Sequence, residues 1–206
     1  MSEFEPTVFI IDDDEAVRDG LGQLMQSINL NVKTFSSAAE FLGFCKPDMQ
    51  GCLVLDVRMP GMSGLKLQEE LLLRNISLPI IFISGHGDVP MAVETIRKGA
   101  IDFMEKPVGD QALLDRVQEA LEKDAQFKKE QAKRDAAKAK FELLTPRERE
   151  VLDLIMAGKL NKVIASELGL SHRTVEVHRA SIMEKMGVDS VAELVILINN
   201  TESSHV

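Results

Sequence analysis

The chain has 206 residues, 45% of them hydrophobic, which suits two domains of about 120 and about 65 residues better than one. Its formal net charge of −9 argues against bulk attraction to nucleic acid, and no apolar run reaches the roughly 18 residues that a membrane-spanning helix needs. The acidic start, MSEFEPTVFIIDDDE, lacks the basic-then-apolar order of a secretory signal, and Cys45 and Cys52 carry no partner motif, so two reduced thiols in a cytoplasmic protein are expected.

Short β-rich runs alternate with amphipathic stretches through roughly the first 120 residues. Strands are predicted over Thr7–Asp12, Val32–Phe35, Cys52–Asp56, Pro79–Ser84 and Ile101–Phe103. Helices are predicted over Glu15–Ser27, Ser37–Phe44, Gly64–Leu73, Val89–Lys98 and Asp110–Lys123. The first, third and fourth strands are nearly continuous apolar runs, as parallel strands buried on both faces require. Such β-α repeats point to an open, doubly wound α/β domain with a five-stranded parallel sheet, over residues 1–123.

From 124 to 140 the composition changes to DAQFKKEQAKRDAAKAK, free of Gly and Pro and rich in helix formers, which reads as a solvated helical linker continuing the fifth helix. Residues 141–206 are all helix by pattern. Thr145 with Pro146 and Glu148 forms a capping-box signature, and that helix runs to about Ala157 before Gly158. Asn161 is a cap candidate for a second helix ending at Gly169; Ser171 or His172 starts a third, stopped by Gly187, and Ser190–Asn199 makes a fourth. The charge is uneven: 20 acids and 11 bases over 1–123, 3 and 6 over 124–140, 10 and 7 over 141–206. The last segment is therefore no basic patch, and any nucleic-acid binding there must rest on a few placed cations and on dimerisation rather than on bulk attraction.

In the α/β domain, sites lie where strands end at their carboxyl edge. Asp12, Asp13 and Asp14 follow the first strand, Asp56 ends the third, Ser84 ends the fourth, and Lys106 follows the fifth, beside Pro107, a candidate for a cis bond. Carboxylates gathered at one edge need a hard cation, and oxygen ligands suit Mg²⁺. A single aspartate after a strand is usually a turn or cap residue; Asp14 and Glu15 read as first-turn helix charges and His86 as a solvated loop residue. Several acids with a lysine and a hydroxyl at matching strand ends are a different matter.

The order Asp12-Asp13, Asp56, Ser84, Phe103 and Lys106-Pro107 resembles the receiver domains of two-component response regulators, which have a flavodoxin-like fold. The resemblance implies that Asp13, Asp56 and the Arg58 carbonyl bind Mg²⁺ with Asp12 in support, and that Asp56 becomes an aspartyl phosphate. It further implies that Ser84 and Lys106 meet the phosphoryl oxygens and that Phe103 swings inward as Ser84 moves. Arg58, two residues after Asp56, stands where a phosphohydrolase of similar chemistry has a second aspartate; an enzyme is disfavoured because no separate substrate cleft or acid–base pair is visible beyond self-dephosphorylation.

The stretch LTPREREVLDLIMAGKLNKVIASELGLSHRTVEVHRASIMEKMGV resembles a LuxR-type helix-turn-helix of the NarL/FixJ branch, and the whole chain looks like a FixJ-type regulator. On a helical wheel Val175, Ile182 and Met186 share one side, while Arg173, Glu176, Val177, Ala180 and Glu184 lie opposite. The resemblance makes 176, 177 and 180 base-facing: Glu176 toward a cytosine amino group, Val177 or Ala180 toward a thymine methyl. Lys162, Arg173, Arg179 and Lys185 are phosphate candidates, and Thr174 joins them on the DNA-binding surface. Glu176 and Ala180 replace residues that are basic in some relatives, so direct readout is sparse. The partners implied are a sensor histidine kinase, double-stranded promoter DNA, RNA polymerase and a second copy after phosphorylation, the last through the fourth-helix and fifth-strand face and the terminal helix. A helical tail that contacts only protein is the rival reading.

Overall fold

Successive residues of a strand face opposite ways, so a strand that is apolar at every position has to be covered on both faces. The computed structural model, which describes residues 6–85 and 89–202, meets that condition with a five-stranded parallel sheet. Its strands are β1 (Thr7–Ile11), β2 (Asn31–Phe35), β3 (Gly51–Asp56), β4 (Ile80–Ser84) and β5 (Asp102–Glu105), ordered β2-β1-β3-β4-β5. Phe9, Ile11, Leu53, Leu55 and Phe82 enter one core, with Phe41 of α2 (Ala38–Phe44) and Leu67 and Leu71 of α3 (Gly64–Leu73). Val8, Ile10, Val54, Ile81 and Ile83 enter the other, with Met25 of α1 (Glu15–Gln26) and Leu113, Val117 and Ala120 of α5 (Asp110–Glu142). The fourth helix, α4 (Val89–Arg97), buries only Thr95.

The first compact unit extends to Lys128 and the second begins at Lys129. The predicted strands and helices are all present, most with ends displaced by a residue or two; β5 shifts later as a whole, the fifth helix runs on to Glu142, and the last helix ends three residues later than predicted. His86 lies outside the described residues.

The stretch 124–140 continues α5, which runs unbroken from Asp110 to Glu142, but it is not uniformly solvated. Asp124 is only 3% exposed and accepts a hydrogen bond from the Gly51 amide at 2.8 Å, and Ala137 is buried as well. Gly51 has φ +136, and a Cβ there would lie 1.8 Å from the Thr7 carbonyl oxygen, so only glycine fits beneath Asp124. The neighbouring Cys52 thiol is pushed up to about 12 by burial and by the Asp124 charge, which makes it inert.

Burial drives the Asp124 carboxyl above the usual aspartate range, opposed by the Gly51 amide and Lys128. A carboxyl raised in the folded state stabilises the fold below its unfolded pKa and loses that contribution as pH rises through the folded one. Asp124→Asn, which keeps an acceptor for Gly51 without the charge, is therefore expected to raise the urea midpoint at pH 7 and to leave it unchanged near pH 3. Denaturant titrations at the two pH values read this directly.

The second unit is a helical bundle around Val151, Leu152, Ile164, Val175, Ile182 and Leu194. It contains α6 (Pro146–Met156), α7 (Asn161–Leu168), α8 (His172–Met186) and α9 (Val191–Glu202). Thr145 and Glu148 form the expected capping box. Asn161 does not cap α7: Leu160 occupies that position without a side-chain bond, and Asn161 is the first helical residue. Gly169 ends α7 in the left-handed region at φ 64, the turn before α8. Lys140 donates to the Met186 carbonyl at 2.9 Å, satisfying a group that the end of α8 would otherwise leave unpaired.

Candidate functional site

Parallel strands of one sheet finish on the same side, so residues that follow them meet although they are distant in sequence. Ile11 pairs with Leu55, Asp56 with Ile83, and Ser84 with Glu105. That register places Asp12, Asp56, Ser84 and Lys106 on one edge. Lys106 is fixed there by its backbone, whose N–H donates to the Ser84 carbonyl at 2.8 Å, and the Lys106–Pro107 bond is cis as expected.

The Lys106 ammonium lies 2.6 Å from Asp12 Oδ2 and 2.7 Å from Asp56 Oδ1. Both carboxylates are buried. Their other oxygens accept backbone bonds, Asp12 Oδ1 from Asp14 at 3.0 Å and Asp56 Oδ2 from Arg58 at 2.7 Å. Burial pushes the Asp56 carboxyl up, Lys106 and the Arg58 amide pull it down, and the Asp12 charge adds to the rise, leaving it above the usual range. Burial by itself would lower Lys106, but its bonds to Asp12 and Asp56 outweigh this and hold its pKa above the ordinary value. The ammonium is therefore firmly charged, and the carboxylate is one whose charge is held by few donors.

Asp13 and Arg58 are exposed, Ser84 is buried, and Phe103 is half-buried with its ring 6.4 Å from that of Phe82. The structure thus joins Asp12 to Asp56 but does not draw Asp13 in. Among the described residues no three His, Cys, Asp or Glu side chains form a metal-binding group. The donor set nevertheless fits a hard divalent cation, because its side-chain ligands are oxygens and two buried carboxylates share one lysine. Gly64 is a position that pattern reading passes over. A Cβ there would lie 2.3 Å from the Asp56 carbonyl oxygen, so glycine lets α3 begin directly against the third strand.

Removing the ammonium strands two buried carboxylates. Lys106→Met is expected to cost about 3 kcal/mol at pH 7.5. The loss should shrink at pH 5, since a carboxyl raised in the folded state, as that of Asp56 is, regains its contribution as pH falls. Urea unfolding of the variant at both values checks the size and the sign.

In the second unit α8 buries Val175, Ile182 and Met186, the face that the helical wheel gives. Arg173, Glu176, Val177, Ala180 and, from α7, Lys162 are exposed, and Arg179 is half-buried. The Thr174 hydroxyl lies 2.7 Å from Ser171 Oγ, which also caps the helix by accepting from the Thr174 amide. Glu176 stands 3.4 Å from His172 Nδ1, one turn away. Lys185 corrects the sequence-based assignment. Its ammonium bonds both oxygens of Glu148, at 2.9 and 2.7 Å, because that carboxylate is buried and needs a counter-charge; it is not a free phosphate contact.

Ser181 donates to the same carboxylate at 2.7 Å, and the Thr145 amide donates at 2.8 Å. Burial would raise Glu148, but Lys185, the Thr145 amide and Ser181 together hold it down at about 2. The sequence shows Glu148 only as a capping residue; its tie to α8 needs the packed bundle. A carboxylate depressed in this way contributes stability above the unfolded value of 4.5, lost as pH falls toward about 2. Glu148→Gln is expected to cost about 2 kcal/mol at neutral pH. It should also flatten the acid limb of a thermal unfolding series followed by circular dichroism.

This combination is shared with known proteins. Residues 8–118 match the response regulator receiver domain, and residues 142–198 match the luxR family of bacterial regulatory proteins. Nodulation protein W of Bradyrhizobium diazoefficiens is 46% identical over 208 residues, covering 97% of this chain and 91% of that protein. Transcriptional regulatory protein FixJ of Azorhizobium caulinodans is 46% identical over 188 residues, covering 91% and 89%. The low-resolution structure of response regulator StyR has 47% identity and a TM-score of 0.88, covering 95% of this chain and 98% of that one. The chain belongs to the response regulators that carry a receiver and a luxR-family DNA-binding domain. It is a transcription regulator of the FixJ-like kind rather than an enzyme. No helix among the described residues is long and apolar enough to cross a membrane.

Proposed function

We propose that a sensor histidine kinase phosphorylates Asp56 in the cytoplasm, and that the phosphorylated chain dimerises and binds promoter DNA to activate transcription with RNA polymerase. The observation that carries this reading is the Lys106 ammonium bridging buried Asp12 and Asp56. An Asp56 oxygen attacks the phosphorus of a phosphohistidine whose other ring nitrogen carries a proton; the phosphorus–nitrogen bond breaks and its electron pair returns to the imidazole, which leaves as neutral histidine. Lys106, already beside Asp56, meets the incoming phosphoryl oxygens, and buried Ser84 supplies a hydroxyl at the next strand end. Asp13, Asp56 and the Arg58 carbonyl would hold Mg²⁺ with Asp12 in support; the ion supplies charge neutralisation for the phosphoryl group.

The new charge draws Lys106 and Ser84 away from their present contacts, and Phe103, packed beside Phe82, follows into the space released. The neighbouring α4 is held by a single buried residue and exposes Val89, Val93 and Ile96, an apolar face suited to a second copy. In the C-terminal unit α9 exposes Ile196, which suits the same role. Glu176, Val177 and Ala180 then face bases, with Lys162, Arg173 and Arg179 on phosphates and Thr174 beside them. Because few cations serve the interface, pairing of two copies does much of the work of affinity.

The test is selection of bound fragments from random DNA, with and without beryllofluoride and Mg²⁺. Enrichment of a two-part site that depends on beryllofluoride, and is lost in Asp56→Asn, is the expected result. No enriched sequence in either condition would favour a tail that contacts only protein.

A further inference from the structure

Each polar group of Asp12 has a partner. Its N–H donates to the Phe35 carbonyl at 3.2 Å, Oδ1 accepts from the Asp14 amide, and Oδ2 accepts from Lys106. Its carbonyl accepts from Arg18 Nη1 at 2.8 Å. Arg18 lies on α1, and it reaches back across the loop that Asp13 and Asp14 form. That loop is also held by Asx-type bonds at two aspartates: the Asp14 amide donates to Asp12 Oδ1, and the amides of Ala16 and Val17 donate to Asp14 Oδ1. None of these involves the Asp12 carbonyl, which begins the peptide plane leading to Asp13. The orientation of that plane decides where the Asp13 side chain starts, and Arg18 is the group that bonds it.

We infer that Arg18 is a positioning residue for the cation site: its guanidinium fixes the Asp12–Asp13 peptide so that Asp13 is set for a divalent cation shared with Asp56. The inference rests on the phosphoacceptor reading of the pocket and deepens it. Arg18 acts through a donated hydrogen bond and not through its charge, because a fixed positive charge near the site opposes a second cation. Outer-shell partners of this kind typically change metal affinity by about tenfold when removed. Geometry and charge thus predict opposite signs for the same variant.

The experiment is Mg²⁺ titration of the full chain, followed by amide chemical shifts, for the wild type, Arg18→Ala and Arg18→Lys. Amide hydrogen exchange of Asp13 and Asp14 is measured without metal in the same samples. Arg18→Ala is expected to bind Mg²⁺ about tenfold more weakly, and to exchange faster at both amides; Arg18→Lys, which restores a donor, is expected to recover most of both. Unchanged or tighter Mg²⁺ binding in Arg18→Ala, or a loss that lysine does not recover, would overturn the inference. Should the wild type bind no Mg²⁺, the phosphoacceptor reading falls, while the exchange rates still show whether Arg18 holds the loop. If Arg18→Ala does not fold, Arg18→Met, which keeps the length of the side chain without a donor, takes its place under the same criteria.

Discussion

Two carboxylates cannot share a buried sheet edge unless something positive stands between them, and here a single lysine ammonium does so. Lys106 touches Asp12 and Asp56, residues far apart in sequence that the strand order brings to one edge. The parallel topology, the glycine that lets α3 begin against Asp56 and the doubly covered sheet all serve to hold these three groups in contact. Breaking the arrangement leaves uncompensated buried charge, whereas altering the charge on Asp56 redistributes it. That difference is what makes the edge suited to switching.

The second unit uses a related device to another end. Glu148 is also buried and also meets a lysine, yet its pKa is depressed while that of Asp56 is raised. Donor count explains the contrast: Glu148 accepts from Lys185, Ser181 and the Thr145 amide, with no neighbouring acid among the causes of its shift. Asp56 accepts from Lys106 and one amide, and faces Asp12. Saturated, an ion pair fastens α6 to α8 and fixes the bundle that presents α8. Unsaturated, it leaves a carboxylate with capacity for chemistry.

The sequence carried the sheet and its edge well because doubly buried strands are written as apolar runs and site residues fall at their ends. Asp12, Asp56, Ser84 and Lys106 could be found that way, as could the buried face of α8 and the capping box at Thr145. Side chains whose roles arise only on packing were harder to see. Lys185 read as a phosphate contact because its partner, Glu148, lies 37 positions away on another helix. Asp124 read as a solvated linker residue because nothing local marks its bond to Gly51, and Asn161 read as a cap although the chain enters α7 one residue earlier. Arg18 carries no local mark either, since its partner is a main-chain carbonyl six residues back.

The claim on which the rest depends is that Asp56 is the group that takes the phosphoryl. Incubating the full chain with Mg²⁺ and acetyl phosphate, reducing with borohydride and sequencing peptides by mass spectrometry locates any acyl phosphate as homoserine. The account predicts a single conversion, at residue 56, that prior hydroxylamine treatment removes. Conversion at another carboxylate with Asp56 untouched, or none in a folded sample, would contradict it.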